Sequence, residues 1–267
     1  MVVHVERTGG VGVVTLDRPD RRNAVDRPTA DALSAAVTEL DADHTLAAVV
    51  VTGANGTFCA GADLHALDDP SRGNRITASL HGPMGPTRLG TRLPVIAAVE
   101  GHAVAGGLEL ALWADLRVAS ETAVFAVSCR RVGVPLIDGG TVRLPRIVGH
   151  GVALDMILTG REVGADEARR IGLANRVVSA GTAAEAAVGL GEQLATLPRT
   201  TMLADLASTR ESFDRPTDAA LIAEHERGVA ALAAGGADAG VAAFRAGDGR
   251  ANSPIDVPSD EPSGADT

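Results

Sequence analysis

A chain of 267 residues, 45% of them hydrophobic and with a mean hydropathy of +0.13, can form one large core with a smaller appendage. Aromatic residues are 2% of the chain and tyrosine is absent, so that core is expected to be built from Ala, Val, Leu and Ile. The net charge of −10 argues against a broad nucleic-acid surface, which needs clustered Lys and Arg, and no apolar run reaches the length of a membrane span. Cys59 and Cys129 are the only cysteines and no signal-peptide pattern precedes them, so a reducing cytoplasm is expected.

In chain order, β-branched clusters at 2–6 and 11–16 around Thr8-Gly9-Gly10 predict a hairpin ending in Leu16-Asp17-Arg18-Pro19. Ala32, Leu33, Ala36, Val37 and Leu40 recur at helical spacing and predict a helix from about Pro28 to Leu40. Residues 47–53 predict a buried strand, 75–92 a helix after a loop rich in Pro, Gly and Asp, and 94–100 a second buried strand. A glycine turn over 101–107 then leads into a helix from Leu108 to Trp113, whose first turn carries Glu109. Short strands are expected at 118–119 and 123–127, and a helix over 141–148 bounded by Pro145.

Helices follow at 151–158 and 165–171, a strand at 174–178, and a long amphipathic helix over 183–197 closed by Pro198. The recurring unit is strand-strand-helix. Strand signals stop at Pro198; 200–213 and 217–234 are helical patterns, and the apolar segment 241–244 follows. The expected organisation is a core over 1–198, a helical region over 199–247, and a disordered tail over 248–267, rich in Gly, Asp, Pro and Ser.

Two places combine a buried strand with small residues. Val49-Val50-Val51-Thr52-Gly53 leads to Phe58-Cys59-Ala60-Gly61-Ala62-Asp63-Leu64, and Val95–Val99 leads to Gly101-His102-Ala103-Val104-Ala105-Gly106-Gly107-Leu108-Glu109. Turns of this kind expose backbone N–H groups, and a helix start adds a partial positive charge, so the pair can hold an oxyanion if the fold joins them. The two segments, in this order, resemble the oxyanion-hole segments of the enoyl-CoA hydratase/isomerase (crotonase) superfamily. Further matches are Leu16–Pro19 with Asn23-Ala24, Asp115–Ala119, Gly139-Gly140-Thr141 with Arg143-Leu144, and Leu158-Thr159-Gly160 with Ala165 and Gly172-Leu173-Ala174, so the likeness spans about 245 residues. It implies an α/β fold, a crotonase-like spiral of β-β-α repeats with a C-terminal helical region. It also implies homo-trimers, often paired into hexamers, and an acyl-CoA thioester substrate, with coenzyme A entering only as part of that substrate.

Carried over residue by residue, the resemblance makes the backbone N–H groups of Ala62 and Gly106 the oxyanion donors and Glu109 one of the two hydratase glutamates. It places Arg22, Ala24, Ala60, Gly61, Asp63, Leu64 and Gly107 around the thioester and the CoA. Solvated loop arginines are the bland alternative for Arg21 and Arg22, and helix capping for Asp63. Beside Leu108 and Leu112, Glu109 is expected to be desolvated and its pKa raised.

The second glutamate is missing, because Cys129 stands at its position. A thiol with an ordinary pKa near ~8.5 is a poor substitute for a carboxylate acting on water, and a small packed residue is the favoured reading of Cys129. Asp138, in Leu136-Ile137-Asp138-Gly139-Gly140-Thr141, offers a replacement, since dienoyl-CoA isomerases of the superfamily carry an active-site aspartate at this spacing; helix capping is its alternative. Seven scattered histidines and two separated cysteines indicate no metal. Enoyl-CoA hydratase is therefore the first expectation, double-bond isomerase the second, and a non-catalytic acyl-CoA-binding protein the rival of another class.

Overall fold

The computed structural model describes residues 2–77 and 81–246. The hairpin is β1 (Val3–Thr8) and β2 (Val11–Leu16), antiparallel with Thr8 opposite Val11. A 3-10 turn at Pro19–Arg21 leads to α1 (Arg27–Ala42), capped by the Asp26 side chain, which accepts from the Thr29 amide. Then come β3 (Ala48–Gly53), β4 (Val95–Val99), β5 (His102–Val104), α2 (Gly106–Trp113), β6 (Leu116–Ser120) and β7 (Val124–Ala126). They are followed by α3 (Gly140–Val148), α4 (His150–Thr159), β8 (Glu162–Gly164), α5 (Ala165–Arg170), β9 (Arg176–Val178) and α6 (Ala183–Ala195).

Six strands form one sheet in the order β1-β2-β3-β4-β6-β9, parallel except for the first pair, and β5-β7-β8 form a smaller one. In the runs β4-β5-α2 and β6-β7-α3, each repeat contributes one strand to each sheet before its helix, which is the expected spiral of β-β-α units. Strand alternation explains the unbroken apolar runs. Val49, Val51, Val95, Ala97 and Val99 face the main core with Leu33 and Val37 of α1, whereas Ala48, Val50, Ile96 and Ala98 face Ala183, Ala187 and Leu190 of α6. Both faces are buried, so no polar alternation survives in β3 or β4.

Internal contacts divide the chain between Leu197 and Pro198. The second unit contains α7 (Arg199–Ser212), α8 (Thr217–Ala233) and α9 (Asp238–Ala246), with α7 packed on α8. The tail expected over 248–267 lies outside the described residues. No helix among the described residues is long and apolar enough to cross a membrane.

Three expectations are corrected. Over 75–92 the described residues form no α-helix, only a 3-10 turn at Pro86–Arg88, because Pro83 and Pro86 lack amide donors and bias the residues before them away from helical angles. The stretch 101–107 is not all turn, since His102–Val104 pairs as β5 and the helix begins two residues before Leu108. Pro145 lies inside α3 rather than bounding it, and Gly149 ends the helix by donating its amide to the Pro145 carbonyl.

Candidate active site

Hydrogen bonds join the two glycine-rich segments. The Phe58 amide donates to the Glu100 carbonyl (2.7 Å), Cys59 to His102 (2.9 Å), and Val104 back to Cys59 (3.1 Å), so residues 58–60 run beside β5 as an extra extended segment. Both chains then turn away together. Gly61 has a φ of 96°, and a Cβ there would lie 2.9 Å from the Gly106 nitrogen and 3.0 Å from the Ala105 Cβ, so the turns are in contact. A Cβ on Gly107 would fall 2.0 Å from the Cys59 carbonyl oxygen, which is why α2 opens on residues without side chains.

Ala105 makes the last turn at φ 52°, ψ −124°, a conformation that costs about 1–3 kcal/mol in a residue with a side chain. The Gly106 amide is the first in α2, with no intrahelical acceptor and no side-chain cap. The hydrogen bonds flanking Ala62 use the Gly61 carbonyl and the Asp63 amide, and among the described residues nothing accepts from the Ala62 amide itself. Ala62 and Gly106 are only half-buried, and their unengaged N–H groups lie on adjoining turns near the positive end of α2.

Glu109 lies in the first turn of the same helix and is 3% exposed. Its Oε1 accepts from the Asp138 and Gly140 amides, both at 2.8 Å, so it serves as the anion at the N-terminus of α3, the helix packed beside its own. Burial pushes its carboxyl up from the ordinary 4.5 to about 7, against those two amides, with the Asp138 charge adding to the rise. The expected upward shift is present, and its main cause is burial.

Asp138, 2% exposed, does not cap α3: the N-cap is Gly139, without a side-chain bond. The carboxylate turns instead to the loop at 82–88, where its Oδ1 accepts from the Met84 amide at 3.0 Å and from the Thr87 hydroxyl. Burial raises its pKa against those two donors. Arg143 ties the same parts together, donating to the Asp138 carbonyl (2.9 Å) and the Thr87 carbonyl (2.6 Å). Cys129 is buried in a 3-10 turn at Ser128–Val132, and burial, with the nearby charge of Glu109 added, pushes its thiol up; it is a neutral neighbour of the acid.

The remaining candidates divide. Arg22, at φ 50°, accepts the Ala60 amide on its carbonyl (3.1 Å) and has an exposed side chain, while the Ala24 carbonyl accepts from the Arg18 guanidinium. Leu64 is exposed, and Gly107 is buried against Cys59. Asp63 caps the 3-10 turn Leu64–Ala66 through the His65 amide, as its alternative reading held.

Asp63 also belongs to an ion network that sequence reasoning missed. Arg18 reaches Asp63 (2.9 Å) and Asp26 (3.2 Å), and Arg72 reaches Asp26 (2.8 Å) and Asp63 (3.3 Å), with both acids buried beside Ala62 and the entry to α1. Buried acids are retained where cations meet them, and this quartet anchors the residue after the Ala62 amide. Asn23, fully buried, fixes the same region by accepting the Arg18 amide and donating to the Ala54 and Thr57 carbonyls.

Known proteins share this architecture. A profile described as Enoyl-CoA hydratase/isomerase matches residues 6–243. The enoyl-CoA hydratase EchA19 of Mycobacterium tuberculosis is 35% identical over 244 residues, covering 90% of this chain and 92% of that one. A probable enoyl-CoA hydratase, echA8, of Mycobacterium bovis is 41% identical over 176 residues, 66% of this chain and 68% of that one. The crystal structure of an enoyl-CoA hydratase from Mycobacterium tuberculosis superposes with a TM-score of 0.87 at 33% identity, covering 92% of this chain and 96% of that one. With two unengaged amides and a buried glutamate set on the same spiral, the chain belongs to the enoyl-CoA hydratase/isomerase family.

Proposed function

We propose that the chain hydrates 2-enoyl-CoA thioesters. The observation that carries this reading is the contact of the Gly61 turn, just before the unengaged Ala62 amide, with the Gly106 nitrogen, one helical turn from Glu109. With the thioester oxygen between the two N–H groups, C2 and C3 of the acyl group come beside Glu109. As the water oxygen bonds to C3, one carboxylate takes a proton from it, the C2–C3 electron pair moves toward the thioester oxygen, and the amides hold the charge that develops there. A second acidic group delivers a proton to C2, which completes the addition. Asp138 is that second group: it is buried, its pKa is raised, and its backbone amide is bonded to Glu109. No further cofactor enters, since coenzyme A arrives as part of the substrate.

Incubation with crotonyl-CoA followed by mass analysis tests this reading, a gain of one water being the expected result. No gain with any 2-enoyl-CoA would remove it. A second reading is favoured by one observation: Cys129, neutral beside Glu109, leaves the usual second glutamate absent. A single carboxylate can move a proton between carbons, so double-bond isomerisation is the alternative, and conversion of a 3-enoyl-CoA without water uptake would establish it.

Three variants separate the versions. If Asp138 is the second acid, Asp138→Asn costs as much activity as Glu109→Gln and Cys129→Glu adds little. Hydration that survives Asp138→Asn unchanged would exclude Asp138 from proton transfer.

We also propose that the chain assembles as a trimer or a pair of trimers. Leu221, Ile222, Val229, Leu232, Val241 and Phe244 are exposed on α8 and α9, more apolar surface than one chain usually leaves bare. Light scattering of the full chain is expected to give the mass of three or six copies, and a monomeric mass at micromolar concentration would refute the assembly.

A further inference from the structure

We propose that Arg143 is a positioning residue for the hydration: it fastens the loop at 82–88 to Asp138 and sets a positive charge, bonded to no carboxylate, beside the two buried acids. The inference rests on the hydratase reading and names what controls the acids of that site.

Glu109 and Asp138 are both buried, and the Asp138 amide donates to Glu109 Oε1 at 2.8 Å. Ionising both puts two like charges into one site, which each resists. The donors that hold them are neutral: the Asp138 and Gly140 amides for Glu109, the Met84 amide and the Thr87 hydroxyl for Asp138. A nearby cation therefore decides how readily the pair gives up its proton.

Arg143, at the end of the first turn of α3, is that cation. Its Nη1 donates to the Asp138 carbonyl at 2.9 Å and its Nη2 to the Thr87 carbonyl at 2.6 Å, while the Thr87 hydroxyl donates to Asp138 Oδ1. The planar fork spans two chain segments at once, which a lysine ammonium, a single point charge, does not reproduce. Two successive glycines make room for it. A Cβ on Gly139 would lie 2.2 Å from Arg143 Nη1, and one on Gly140 would lie 3.0 Å from Glu109 Oε1, so guanidinium and carboxylate rest on neighbouring residues.

Both partners of the guanidinium are carbonyl oxygens, and among the described residues no carboxylate bonds to it, so its charge is not cancelled in an ion pair. It is half-buried, and solvent and salt screen it less than a surface charge. The attraction is mutual: the charge of Arg143 opposes the burial that raises Asp138, and the charges of Glu109 and Asp138 oppose the burial that lowers Arg143. The other charged or titratable groups on the packed elements are the neutral Cys129, the exposed Arg88 and Arg146, His102 of β5, and His150 and Asp155 of α4, the last three also exposed. Arg88 favours ionised Asp138 too, but from the surface, where it donates to the Ile137 carbonyl at 3.0 Å.

The test follows the ionisation of Glu109 by carboxyl ¹³C NMR, its signal assigned by its loss in Glu109→Gln, alongside pH-rate profiles with crotonyl-CoA. The wild-type midpoint is expected near 7. Arg143→Gln removes the charge and is expected to move that midpoint up by about one pH unit in both measurements, whereas a merely structural arginine changes melting temperature and rate without moving a titration. Arg143→Lys keeps the charge but reaches only one carbonyl, so the midpoint is expected to stay in place while kcat falls by about tenfold or more through the loosened loop. An unmoved midpoint in a folded Arg143→Gln, or an undiminished kcat in a folded Arg143→Lys, would overturn the role of Arg143. Should Arg143→Gln not fold, Arg143→Lys decides alone. A wild type that hydrates no 2-enoyl-CoA, with a carboxyl midpoint that still follows Arg143, would remove the hydratase reading and leave this control of Glu109 standing.

Discussion

Glu109→Gln is expected to slow hydration of crotonyl-CoA by about 10²–10⁴-fold, the usual worth of a positioned acid or base, while KM changes little. Gln keeps the Oε1 acceptor that the Asp138 and Gly140 amides require, so the N-terminus of α3 stays satisfied and only the titrating group is removed. The same substitution has an opposite effect on stability. The folded pKa of Glu109, about 7, lies above its ordinary 4.5, so this carboxyl's contribution to stability is fully present below about 4.5 and is lost as pH rises through 7.

Keeping the charged form buried at pH 8 therefore costs on the order of 3 kcal/mol, which Gln does not incur. The variant is expected to melt at a higher temperature than the wild type at pH 8 and at nearly the same temperature at pH 4. The wild-type rate should also rise with pH through a midpoint near 7, a limb that the variant lacks. Undiminished turnover, or a melting difference equal at both pH values, would show that Glu109 is an ordinary capping carboxylate.

Local chemistry was legible in the sequence, and contacts between distant segments were not. The hairpin followed from β-branched residues around Thr8-Gly9-Gly10, and the apolar runs of β3 and β4 from strands buried on both faces. The motifs also marked Ala62, Gly106 and Glu109, because the approach of Gly61 to Gly106 and of Gly107 to Cys59 admits only small residues. Nothing local marked Arg18, Asp26, Asp63 and Arg72 as one network, or Glu109 as the anion at the start of α3: each is a single polar residue whose partner is far along the chain and follows no period. The same holds for Asp138, whose turn toward Met84 and Thr87 depends on a loop that its helical reading had concealed. In that loop the two prolines were the available signal, and they outweigh the helical reading of 75–92.

Gly106→Pro is expected to lower kcat by about 10²–10³, the typical loss for one oxyanion donor. The position suits the experiment because Gly106 is the first residue of α2, where a helix makes no use of the N–H and tolerates proline. Two side effects need controls. A new Cβ meets the Met84 thioether at 2.7 Å, and proline further restricts Ala105, already at φ 52°. Gly106→Ala presents the same Cβ to Met84 but keeps the amide, so the difference between the Pro and Ala variants isolates the donor. Ala62→Pro supplies an independent check, because the hydrogen bonds around it use the Gly61 carbonyl and the Asp63 amide and not its own N–H. The two proline variants are expected to lose activity to a similar degree while melting as folded proteins. A folded Gly106→Pro that turns over as fast as Gly106→Ala, together with an undiminished Ala62→Pro, would mean that the charge on the thioester oxygen is held elsewhere.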